Sequence, residues 1–294
     1  MATSSSSRLD VRKTYKLFIG GAFPRSESGR TYPATDNDGN VLARMAEGSR
    51  KDLRDAMKAA RSAQSGWAAR TGYNRAQILY RAAEMLEDRA DTFVAQLGYG
   101  GLSKPQARRE VEQSIDRLVW YAGWGDKYAQ IMGNLNPVAG PFFNISTPEP
   151  AGVVGTIAPE TPALLGLVSR MAPAIIVGNT MVLVASHRWP MPAVTFSEVL
   201  ATADLPGGVV NILTGPKANT VPVMAAHMDL NVIDAFGHTQ DDMAMIETNA
   251  AHSVTRVVRP AADGFAWNDD RVARSPYMIA DFTEIKTIWH PKGM

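Results

Sequence analysis

The sequence contains no cysteine. Within these residues that excludes disulfides, thiolate metal sites, iron–sulfur clusters and a cysteine nucleophile. A surplus of charge is missing too. Thirty Lys and Arg face 29 Asp and Glu, so bulk charge calls for neither nucleic acid nor an anionic membrane. No apolar run reaches the roughly 18–20 residues of a membrane span. The opening stretch to Phe18 lacks the apolar core of a secretory signal. Its Ser and Arg content resembles a transit peptide only faintly, and Asp10 argues against one. Residues 1–15 therefore read as a disordered tail of a cytoplasmic protein. There is no GxSxG and no HExxH. His187, His227, His238, His252 and His290 show no metal-ligand spacing, so no metal is expected. Asn144-Ile145-Ser146 fits a glycosylation triplet, which carries no weight in a non-secreted chain.

What is present is an ordinary globular composition, 45% hydrophobic and 20% charged, which excludes disorder, a coiled coil or a collagen-like repeat. Residues 16–36 alternate apolar residues with the turn signals Gly20-Gly21 and Ser28-Gly29. Helical spacing follows over Asp52 to Trp67, over Arg75 to Leu97, and over about Gln106 to Met132 with Val111, Ile115, Leu118 and Val119 on its apolar side. The aromatics Trp120, Tyr121, Trp124 and Tyr128 read as core packing rather than a ligand box. Residues 131–150, rich in Pro and Gly and nearly uncharged, cannot be helical and read as an extended edge strand or arm. From Gly152 to Val258 five short β-rich runs alternate with helices. That pattern predicts a parallel sheet covered on both faces, a doubly wound α/β architecture. No GxGxxG follows its first strand. Residues 259–280 read as loop, and Phe282 to Trp289 as one strand with no single clean apolar face.

Several of these stretches resemble the aldehyde dehydrogenase family. KLFIGGAF is similar to its first strand. EPAGVVGTIAPETPALLG resembles its EPxGVVGxIxPWNxP segment, TMVLVAS its VLKPS strand, LPGGVVNILTG its LPxGVxNxxTG turn, and FTEIKTIWHP its terminal strand. The resemblance runs from about Lys16 to Val258 and resumes at the end of the chain. It implies a Rossmann-like domain over 16–130 and 151–258, with N-terminal helices. It also implies a small β oligomerisation arm made of 131–150 and 281–294. Residues 259–280 stand as a short linker where the family carries its catalytic domain.

The family's chemistry, so implied, is thiolate attack on an aldehyde, hydride transfer to a nicotinamide, and hydrolysis of the thioester. No thiol is available here. The general-base Glu of the family's ELGG motif is replaced in a stretch where Val258 or Arg259 stands. The oxyanion-holding Asn of PWN is replaced by Thr161, next to Glu160, which reads as a surface acid. No catalytic residue is assigned. The implied cofactor site survives only as the degenerate positions Pro159, Val184, Gly215, Gly237 and Thr239. Val184 stands in place of the ribose-binding lysine. Asp241 and Asp242 are expected in the first turn of a helix beginning near Thr239, where they repel a pyrophosphate. The reading is a non-catalytic homologue that binds NAD or NADP at most weakly and partners a full-length active aldehyde dehydrogenase subunit. Residual cofactor binding, or a scaffold unrelated to aldehyde oxidation, are the alternatives.

Overall fold

The turn-punctuated first stretch folds into three strands, β1 (Thr14–Tyr15), β2 (Thr31–Thr35) and β3 (Val41–Ala46), ordered β1-β3-β2. The computed structural model describes residues 12–260 and 264–293. The expected tail lies outside the described residues up to residue 11, but Thr14 and Tyr15 at its end pair in parallel with Arg44 and Met45.

Five helices follow: α1 (Arg50–Ala68), α2 (Gly72–Asp88), α3 (Ala90–Tyr99), α4 (Lys104–Ala122) and α5 (Tyr128–Met132). A reciprocal cap starts α1, with Ser49 Oγ accepting from the Asp52 amide and the Asp52 carboxylate accepting from the Ser49 amide. Two of the expected helices are each broken in two. Arg89 leaves helical geometry (φ −102°, ψ 12°) and separates α2 from α3. The third stops at Ala122 because the turn after it packs on the start of α2. A Cβ on Gly72 would lie 1.9 Å from the Gly125 carbonyl oxygen, so only glycine permits that approach. Tyr121 and Tyr128 are buried, as core packing requires, whereas Val119 faces outward.

Residues 131–150 give β4 (Asn134–Asn136) and β5 (Phe142–Pro150). The alternating region gives β6 (Val153–Ile157), α6 (Leu165–Ile176), β7 (Thr180–Val184), α7 (Met191–Thr202), β8 (Val210–Leu213), α8 (Lys217–Ala225), β9 (Val232–Asp234), α9 (Met243–Ala251) and β10 (Arg256–Val258). The sheet is wholly parallel in the order β10-β9-β6-β7-β8. This is the α/β, Rossmann-like doubly wound fold. Successive strand residues feed two cores. Val154, Met181 and Leu183 pack toward α2, α4, α6 and α7. Val153, Ile157, Val182 and Val184 pack toward α1, α8 and α9.

The stretch read as loop carries two short helices, α10 (Asp270–Ala273) and α11 (Tyr277–Ala280), before β11 (Thr283–Pro291). It is clamped to the helical layer. Arg117, fully buried, donates to Ser169 Oγ at 2.6 Å, to the Trp267 carbonyl at 3.1 Å and to Asp270 Oδ1 at 3.1 Å. Tyr121 Oη donates to the Ala273 carbonyl at 3.3 Å. Ile279 and Phe282 enter the core. β11 then pairs antiparallel with β5 from Thr283↔Pro150 to Pro291↔Phe142, and β5 pairs with β4, giving a third sheet ordered β11-β5-β4.

Candidate functional site

In the main sheet the chain runs from β6 through β7 to β8 and then returns to the other side of β6 for β9. The crevice outside the carboxyl ends of β6 and β9 is the switch point where doubly wound folds bind ligands. A cavity of about 430 Å³ lies there, lined by the loop after β6, the loop after β9, Lys217 and residues around Trp267.

Of the five sequence-derived positions, Pro159, Gly237 and Thr239 converge on this cavity. Val184 and Gly215 do not. Val184 is buried in the core on the α1 side. Gly215, at φ +132°, lies where a Cβ would meet the Gly48 amide nitrogen at 3.2 Å, a packing role.

The electrostatics add to the sequence reading at two places and correct it at a third. First, the cleft holds a cation. Lys217, at the start of α8, places Nζ 2.7 Å from Glu160 Oε1 and 2.7 Å from the Ala158 carbonyl oxygen to which it donates. Second, Glu160 is a loop acid at the surface, its side chain 41% exposed, but a fully engaged one. Its Oε2 accepts from Ser186 Oγ at 2.7 Å and from the Arg188 amide at 3.0 Å. Burial raises its pKa, but Lys217, Arg188 and Ser186 together outweigh that and hold the carboxyl below its usual range. Third, Asp241 and Asp242 precede the helix, which begins at Met243. Neither side chain caps it, and Asp242 Oδ2 lies 3.1 Å from His238 Nε2.

Glu110 was not singled out by any sequence signal. It reaches from α4 to the start of α6, where Oε1 accepts from the Leu164 and Leu165 amides at 3.0 and 3.2 Å. Burial raises its pKa, and the two amides only partly offset that. It borders a second cavity, of about 290 Å³, shared with Thr161, Pro162 and Trp189. The positive end of α6 is thus filled by a carboxylate of the chain itself.

Beneath the cleft, fully buried Arg170 pairs with both oxygens of fully buried Asp234, at 2.9 and 3.1 Å, and with Asp281 at 2.9 Å. Its guanidinium lies between the rings of Phe236 and Phe282, at 4.4 and 4.8 Å. Phe236 in turn meets Phe265 and Trp267 edge-on, so residues after β10 wall the cleft. Lys217, Glu110 and Arg170 escape sequence reading because each acts through a partner distant in the chain. Among the described residues no cluster of His, Asp and Glu could hold a metal ion, and no helix is long and apolar enough to cross a membrane.

Comparison with known proteins places this architecture. The profile of the aldehyde dehydrogenase family matches residues 24–259. Mitochondrial benzaldehyde dehydrogenase of Antirrhinum majus is 33% identical over 248 residues, covering 82% of this chain and 46% of that protein. Aldehyde dehydrogenase family 2 member B4 of Arabidopsis thaliana is 32% identical over 276 residues, 92% of this chain and 49% of that protein. Among solved structures, HpcC from Thermus thermophilus superposes with a TM-score of 0.80 at 29% identity, covering 84% of this chain and 48% of that one. The NAD+ complex of an aldehyde dehydrogenase from Bacillus cereus gives 0.77 at 26% identity, with 83% and 50% covered. The chain belongs to the aldehyde dehydrogenase family. It spans about half the length of the curated relatives it matches.

Proposed function

We propose that the chain is a non-catalytic family member, a cytoplasmic structural or regulatory subunit that assembles with a full-length active aldehyde dehydrogenase. The observation that carries this reading is the passage from β10 to β11. It runs through residues 259–282 without a cysteine and, among the described residues, without a further sheet. By the resemblance, the family's catalytic domain belongs at this point. Attack on an aldehyde carbonyl at neutral pH calls for an activated nucleophile, an oxyanion donor and a base acting together. At the implied positions stand Thr161 for the donor and Val258 or Arg259 for the base, and Arg259 is paired with Glu247 at 2.7 Å. The elements tied to assembly in the family, β4, β5 and β11, are retained.

The cofactor reading follows from charge. A dinucleotide brings a pyrophosphate, and this cleft presents one lysine, already paired with Glu160, and His238, already engaged by Asp242. That donor set does not fit the group, which supports weak or absent binding of NAD and NADP. The purified chain is expected to produce no NADH from aliphatic or aromatic aldehydes. Calorimetric titration with NAD is expected to show no saturation at micromolar concentration. Turnover by a preparation shown free of other dehydrogenases would overturn the reading.

A further inference from the structure

The Glu160 carboxylate gathers three donors from two places in the fold. Lys217 comes from the start of α8, and Ser186 Oγ and the Arg188 amide come from the turn after β7. An ammonium, a hydroxyl and a backbone amide converging on one pair of oxygens is the coordination that a phosphate or carboxylate group of a ligand takes. The two partners are unequally buried: the Lys217 side chain is 13% exposed and that of Glu160 41%. The lysine is therefore the member that loses more when its counter-charge goes, keeping only the Ala158 carbonyl as a partner. It also lines the cavity of about 430 Å³, next to the aromatic wall of Phe236, Phe265 and Trp267.

We infer that Glu160 is a built-in occupant of an anion site, an autoinhibitory contact that closes the switch-point cleft to nucleotides by holding Lys217. This rests on the reading of the chain as a weak cofactor binder and supplies its cause. The cause is capture of a cation that is present, rather than loss of one from β7. Val184 lies in the core and off the cleft. A ligand phosphate competes with a carboxylate that is tethered and already bonded to three donors. Removing that carboxylate leaves a largely buried ammonium on a cavity wall, and an anion from solvent satisfies it.

The test is calorimetric titration of the full chain with ADP, with adenosine as the uncharged control. Glu160→Gln keeps a carbonyl for Ser186 and Arg188 but removes the charge, and Glu160→Ala removes the whole group. Thermal melting confirms that each variant is folded. ADP is expected to bind a folded Glu160 variant at least about tenfold more tightly than the parent chain, the effect of one charge-assisted hydrogen bond becoming available. Adenosine affinity stays constant, and adding Lys217→Met returns ADP affinity to the parent level. Three results overturn the proposal: equal ADP affinity in the parent chain and a folded variant, a gain that survives Lys217→Met, or an equal gain for adenosine. NADH production by the parent chain would instead overturn the non-catalytic reading, so the two failures are distinguishable.

Discussion

Glu110 shows how a single carboxylate can be structural and still leave a mark on stability. It caps α6 through two amides, yet burial raises its pKa above the ordinary 4.5. In the window between that value and its raised native pKa, the folded state holds a proton that the unfolded state has released. Stability therefore falls as pH rises through the window, with a slope of about 1.4 kcal/mol per pH unit for one proton. Glu110→Gln keeps a carbonyl acceptor for Leu164 and Leu165 and removes the titration. The stability of the parent chain relative to this variant is expected to decline from acid toward neutral pH, measured by urea unfolding at each pH. A difference that stays flat would show that Glu110 does not titrate in this way.

At the scale of elements, the segment from Gly264 to Asp281 is the part least legible in the sequence. Its residues carry no period, and what orders them is polar attachment to side chains far away in the chain. Arg117 and Tyr121 sit on an ordinary amphipathic helix whose apolar face, Val111 and Leu118, was legible from spacing. Nothing local marks Arg117 as buried and bonded to the Trp267 carbonyl and Asp270. The parallel strands were legible because both of their faces are apolar. Helix breaks were not, because the Gly72–Gly125 approach depends on two backbones meeting in space. In the candidate site, Pro159, Gly237 and Thr239 were found from motif order. Lys217 was not, because its role exists only through Glu160. The Arg117 clamp predicts a local effect. Arg117→Met removes the bonds to a charged group, worth about 1.5–3 kcal/mol each, and so raises the open population of the segment by at least about tenfold. Limited trypsin digestion read by mass spectrometry is expected to show correspondingly faster cleavage at Arg271 and Arg274. Unchanged cleavage there would remove the clamp from the account.

At the scale of the whole molecule, the exposed apolar side chains gather on the arm rather than around the cleft. The segment leading into β11 closes part of the core itself: Ile279 and Phe282 are fully buried. On the arm, Leu135, Ile145 and Ile288 stand in one transverse row, since Leu135 pairs with Ile145 and Ile145 with Ile288. They are 68%, 43% and 45% exposed. The opposite face is mixed. It carries a polar ladder in which Asn136 donates to Asn144 and Ser146, and Ser146 meets Thr287, beside exposed Ile285 and a Phe142–Trp289 ring pair. β11 is also an edge strand of nine residues, with an unpaired row of backbone groups that another sheet can use. Under the proposed function, the aliphatic row is the face that meets the partner subunit. A truncation test must keep Asp281 and Phe282, because the first pairs with Arg170 and the second is core. Ile288→Glu avoids this difficulty. It places a charge in the row at a position outside the core and costs the isolated chain at most about 1 kcal/mol. The variant is expected to melt nearly as the parent does and to lose copurification with the full-length subunit, because a charge buried against apolar surface is left without a partner. Ile285→Glu, on the ladder face of the same strand, is expected to retain the partner. Full retention by the Ile288 variant would show that the row is not the contact.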